Sequence, residues 1–138
     1  NSPGGEVYAG LAIYDAMQHV RPDVSTICFS IGMSAAAVIT AGGASGKRYA
    51  LPNAKLMIHQ GTAGYRGAPS DVTIAAREIE STTRQMAEIL ARHTGRTTEQ
   101  VIADFERDRF MTPAEAVEYG LLDAVLRPPG ERTSTIAA

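Results

Sequence analysis

The sequence has little that would tie it to a membrane, a nucleic acid or an oxidising compartment. Its one cysteine, Cys28, excludes an internal disulfide. Set in an apolar run, Cys28 reads as a small core residue and suits a reducing, cytoplasmic location. No run of 18 apolar residues is present, so no segment reads as a membrane-spanning helix. Thirteen Lys and Arg against 15 Asp and Glu leave a formal charge of −2, which gives no electrostatic reason to expect a nucleic acid or an anionic membrane as partner. There are no internal repeats. A nucleotide loop is missing too: AGGASGKR resembles one, but Ala41 and Arg48 stand where the motif needs Gly and Ser or Thr. Asn1-Ser2-Pro3-Gly4-Gly5 has no methionine and no basic signal region, and reads as the interior of a motif preceded by further chain.

What is present is one domain of ordinary globular composition, 138 residues long and 44% hydrophobic. Pro3-Gly4-Gly5 forms a turn, and a helix is expected over Glu6 to Val20, ended by Pro22. A buried strand follows from Val24 to Phe29, broken by Gly32, and then a small-residue helix from Ala35 to Ala41 that Gly42-Gly43 stops. Lys47 to Ala50 and Lys55 to Ile58 are strands around a Leu51-Pro52-Asn53 turn. Gln60 to Pro69 is a polar, Gly-containing loop able to pair with an added strand. A long helix, capped by Ser70 or Asp71, runs to about His93. Its apolar and small positions (Val72, Ala75, Ala76, Ile79, Thr83, Met86, Leu90) step by mostly three and four, a narrow stripe suited to a core or a partner subunit. Thr97 to Gln100 is a capping box, Thr112-Pro113 starts a further helix ended by Gly120, and Leu121 to Leu126 is a last strand. The fold class is therefore α/β, with an ordered domain over 1–126 and a disordered tail over 127–138.

Three residues carry the types that acyl transfer needs: a hydroxyl, an imidazole to take its proton and an anion to orient the imidazolium. Ser34 opens a buried helix, where it is either an N-cap or a nucleophile whose helix start steadies an oxyanion. His59 follows a strand, and Asp108 lies in the alternating run Glu106-Arg107-Asp108-Arg109, which by itself reads as a solvated face. The order Ser–His–Asp differs from the familiar hydrolase orders, and no G-x-S-x-G elbow is present. From residue types alone the choice stays open.

The sequence resembles the ClpP family, the proteolytic subunits of the Clp protease. The likeness runs from Asn1 to about Leu126. It is carried by N-S-P-G-G at 1–5, A-I-Y-D-A-M-Q at 12–18, R-P-D-V-S-T-I-C at 21–28, G-K-R-Y-A-L-P-N at 46–53, M-I-H-Q at 57–60, E-R-D-R-F at 106–110 and P-A-E-A-V-E-Y-G-L at 113–121. The resemblance implies a ClpP/crotonase-like fold of short strands and helices with a long projecting handle helix. It implies Ser34 as nucleophile, His59 as general base and acid and Asp108 as orienter, at spacings of 25 and 49 residues. The backbone N–H groups of Gly5 and Ala35 would form the oxyanion hole, and a side chain at Gly5 would obstruct it. Substrate would lie as an added strand near Val7, Thr62 and Gly64, and Arg107 would contact a second ring. The implied assembly is two stacked seven-membered rings, homomeric or mixed, that take unfolded polypeptide from an ATP-driven AAA+ unfoldase. The chain itself would need no metal or cofactor.

The chain departs from the family around the serine. Met33 precedes Ser34 where the family has Ala, Ala35-Ala36 follow where it has Met-Gly, and Gly61 stands where it has Pro. Two other readings accompany the serine endopeptidase: a weakly active or inactive structural subunit of a mixed ring, and a crotonase-like enzyme acting on acyl-CoA thioesters.

Overall fold

The computed structural model describes residues 1–128; the C-terminal stretch expected to be a tail lies mostly outside them. Along the chain come α1 (Val7–His19), β1 (Thr26–Cys28), β2 (Ile31–Met33), α2 (Ala35–Ala41), β3 (Arg48–Ala50), β4 (Lys55–Ile58), α3 (Pro69–Thr94), α4 (Thr98–Asp104), β5 (Arg109–Met111), α5 (Pro113–Tyr119) and β6 (Ala124–Val125). The α/β class holds. The strands form two three-stranded sheets, ordered β1-β3-β6 and β2-β4-β5. All pairings are parallel except β4 with β5.

The expected Val24–Phe29 strand is shorter, and Gly32 does not break it. Phe29-Ser30 carries the chain from one sheet to the other, and Gly32 lies inside β2, paired with Leu56. A Cβ there would sit 3.1 Å from the Cys28 sulfur and 3.3 Å from Thr40 Oγ1, so close packing, not a turn, accounts for the glycine. Gly42 and Gly43 likewise make room, since a Cβ on them would meet the Tyr14 ring at 2.7 Å and Thr26 Oγ1 at 2.6 Å.

Helix starts follow local chemistry. Glu6 is the N-cap of α1 rather than its first residue, its carboxylate accepting from the N–H groups of Tyr8 and Ala9. Pro69, not Ser70 or Asp71, opens α3, because proline at the first position loses no intrahelical bond. The capping boxes Thr97–Gln100 and Thr112–Glu115 are both formed. The latter pulls the Glu115 carboxyl below its ordinary value through hydrogen bonds from Thr112. The expected last strand contracts to Ala124–Val125 because Leu121 and Leu122 are core residues after the α5 cap.

Phe105, Leu56, Ile58, Leu90, Leu121, Leu122 and Val101 are the largest fully buried side chains. They join β4, the C-terminal half of α3 and the α4–α5 region into one core with α2, whose alanines let it approach both sheets. Arg48 locks the β3–β6 side, binding Asp123 through its side chain and donating to the carbonyls of His93 and Gly120. Burial alone would raise the Asp123 carboxyl, but its bonds to Arg48 overcome this and hold it below the ordinary value. The first three turns of α3 leave this core, and Val72, Ile74 and Ile79 on them are exposed. The stripe read along α3 is thus core at Leu90 and open at Val72.

Candidate active site

The strand ends bring Ser34, His59 and Asp108 together. In β2, Met33 pairs with Met57 of β4, and the Ser34 N–H continues the ladder to the Met57 carbonyl at 2.9 Å. The chain then turns into α2 through Ser34 at φ 57°, ψ −127°, the one non-glycine residue with positive φ among the described residues. Such a backbone costs about 1–3 kcal/mol and persists only where surroundings impose it. The ladder on one side and the buried α2 on the other impose it here. Ser34 occupies the N-cap position, yet its hydroxyl makes no capping bond. It faces His59 Nε2 at 2.9 Å.

His59 follows directly on β4, whose antiparallel pairing with β5 sets Ile58 opposite Arg109. One step beyond that pair, His59 faces Asp108, with Nδ1 2.9 Å from Asp108 Oδ1. Antiparallel register is therefore what joins residues 49 apart. The turn is held by Gln60, whose backbone N–H donates to the Phe105 carbonyl and side chain to the Glu106 carbonyl. Asp104 adds bonds from Arg109 and Tyr119 Oη. Arg96 and Arg109 both stack on the Tyr119 ring, at 3.9 and 5.0 Å from its centroid. Burial and the Asp104 carboxylate push the Tyr119 hydroxyl far above its ordinary value, so it stays a donor.

The N-terminal segment covers the serine from the other edge of β2. Ser2 pairs with Gly32, donating to the Ile31 carbonyl and accepting from the Met33 N–H. This lays Gly4 on Ser34: a Cβ at Gly4 would stand 2.6 Å from Ser34 Cβ, 2.6 Å from the Met33 carbonyl and 3.2 Å from the Ala35 nitrogen. A Cβ at Gly5 meets no atom of this chain within 4 Å, so within the fold itself the close packing on Ser34 falls to Gly4. The N–H groups of Gly5 and Ala35 have no acceptor among the described residues.

A cleft of about 550 Å³ opens over Ser34 and His59, bounded by the Pro3–Tyr8 segment, residues 60–63 and α3. Val7 and Thr62 line it, whereas Gly64 does not. Arg107 is exposed beside Asp108 and has no ion-pair partner among the described residues. The α3 wall was not assigned to the site from sequence, although Ile79, Thr83 and Met86 of the apolar stripe all line the cleft. Tyr8 and Glu78 were missed as well, having no motif to mark them. Cys28 is buried, which raises its thiol, and lies away from the triad in a separate groove between α1, β1 and α2. No group of three or more His, Cys, Asp or Glu fit to hold a metal occurs among the described residues, and no helix there is long and apolar enough to cross a membrane.

The serine turn, the His–Asp register and the glycines over the serine arise from stretches distributed along almost the whole chain. Correspondingly, the family described as Clp protease matches residues 1–129, a span that includes both sheets, the stretches around Ser34, His59 and Asp108, and α3. The chain belongs to the Clp protease family.

Proposed function

We propose that the chain is a serine endopeptidase subunit acting through Ser34, His59 and Asp108. The observation that carries this is the position of His59, 2.9 Å from Ser34 Oγ on one ring nitrogen and 2.9 Å from Asp108 Oδ1 on the other. Ser34 Oγ attacks the peptide carbonyl carbon as its proton passes to His59 Nε2. Asp108 accepts from Nδ1–H, which fixes the tautomer and stabilises the imidazolium. The carbonyl oxygen, now an oxyanion, is taken by the N–H groups of Gly5 and Ala35, which otherwise have no acceptor among the described residues. His59 then protonates the leaving amine as the C–N bond breaks. Water, deprotonated by His59, repeats the attack on the acyl-enzyme and frees Ser34.

Peptide would enter the cleft extended, between the Gly5–Val7 segment and the loop around Thr62 and Gly64. The exposed turns of α3 would face a second ring, with Arg107 among the contacts, in an assembly of two stacked seven-membered rings. An AAA+ unfoldase would deliver unfolded polypeptide at the expense of ATP, with no cofactor on this chain and in the cytoplasm. Family membership and the open apolar positions Val72 and Ile74 support this reading. The test is hydrolysis of fluorogenic peptides by the assembled full-length protein. Activity that disappears in Ser34→Ala and in His59→Ala supports the peptidase; an assembled complex with no hydrolysis supports a structural subunit.

A further inference from the structure

We propose that Glu78, held by Tyr8, makes this cleft select peptides with a lysine or arginine close to the scissile bond. The inference rests on the peptidase reading and concerns the side chains that the same cleft accepts. Its lining carries two carboxylates, Glu6 and Glu78, and no lysine or arginine among the described residues. The two carboxylates differ. Glu6 spends both oxygens on the α1 start, Oε1 accepting from the Tyr8 N–H at 3.0 Å and Oε2 from the Ala9 N–H at 2.6 Å. Glu78 has no cationic partner among the described residues. Its Oε1 accepts from Tyr8 Oη at 2.8 Å, which joins the start of α1 to α3 across the cleft.

The hydrogen bonds leave the Glu78 charge available. The Tyr8 proton goes to Glu78 Oε1, while the Thr82 hydroxyl donates to the Glu78 carbonyl at 2.8 Å. One carboxylate oxygen is thus fixed and the other is without a partner among the described residues. Beside it along α3 lie Ile79, Thr83 and Met86, an apolar track on the same cleft wall. A lysine or arginine side chain matches both features, laying its methylenes on that track and its cationic head on Glu78. A purely apolar side chain would strip water from Glu78 and return no partner, and an acidic one would be repelled.

The test uses internally quenched peptides in which a single Arg, Leu or Glu is walked through the positions flanking the cleaved bond. At one position, Arg is expected to exceed Leu in kcat/KM by about fivefold, the order of a partly exposed ion pair. The preference should shrink with added salt and vanish in Glu78→Gln. Glu78→Lys should turn it toward Glu. Tyr8→Phe, which removes one hydroxyl and keeps the ring, should weaken it without reversing it. Hydrolysis with no Arg preference at any position, or a preference unchanged in Glu78→Gln and Glu78→Lys, overturns the proposal. Failure to cleave any peptide, together with no reaction of Ser34 with an active-site phosphonate, overturns instead the peptidase reading beneath it.

Discussion

Gly4 is pressed against Ser34 so closely that a Cβ on it would stand 2.6 Å from the serine Cβ, at a backbone φ of 94° that side chains rarely adopt. Gly4→Ala should therefore displace the N-terminal segment from β2 and take the Gly5 N–H with it. We expect a loss of about 1–3 kcal/mol in stability and on the order of 10²-fold in kcat, read by thermal melting and peptide hydrolysis. Activity and melting temperature like those of the unmodified protein would show that the segment is not held as described.

In the proposed mechanism Asp108 acts on His59, 2.9 Å away, rather than on substrate. Asp108→Asn keeps the shape but reverses the proton on Nδ1, so kcat should fall on the order of 10³–10⁴-fold with KM little altered. The Asp108 side chain is more than half exposed, at 58%, so folding stability should move by less than about 1 kcal/mol. A large drop in melting temperature would instead assign Asp108 a structural role.

The loop after His59 is shaped by Gly61, at φ 85°. Proline, locked near −65°, cannot take that conformation, so Gly61 is required by geometry and not merely tolerated. Gly61→Pro should rebuild residues 60–63 and change KM more than kcat. Unchanged KM on a peptide series would contradict the cleft as drawn.

His93 sets an acid limit on the fold. It receives or donates one bond to Tyr14 Oη at 2.8 Å, tying α1 to the end of α3, and burial followed by Arg48 and Arg92 lowers its pKa below 6.5. The unfolded chain then takes up the proton first. Stability from this site is whole above pH 6.5 and is lost as pH falls from there through the lower folded value. Melting temperature should drop over that window, and His93→Gln should flatten the drop. An equal pH slope in that variant would place the acid sensitivity elsewhere.

Much of the site could be read from the sequence because its residues sit in recognisable local strings: Ser34 before an alanine helix, His59 in M-I-H-Q, Asp108 in E-R-D-R-F. Their approach could not be read from spacing, since it depends on β4–β5 register and on a parallel β2–β4 pair. The strained serine turn is hidden because only one of the two flanking glycines that usually announce it is present, Gly32, with Ala36 in the place of the other; the ladder bond to Met57 helps impose it. Gly32 misled for a related reason: a glycine demanded by Cys28 and Thr40 looks, in one dimension, like one demanded by a turn. Tyr8 and Glu78 were invisible because 70 residues separate the partners of their bond.

The central claim is that His59 makes Ser34 a nucleophile. The most direct measurement is reaction of the full-length protein with a fluorophosphonate, the adduct located by mass spectrometry of its peptides. The account predicts one phosphonylated residue, Ser34, with labelling lost in Ser34→Ala and slowed on the order of 10³-fold in His59→Ala. Labelling of another residue, or labelling of Ser34 at the same rate without His59, would contradict it.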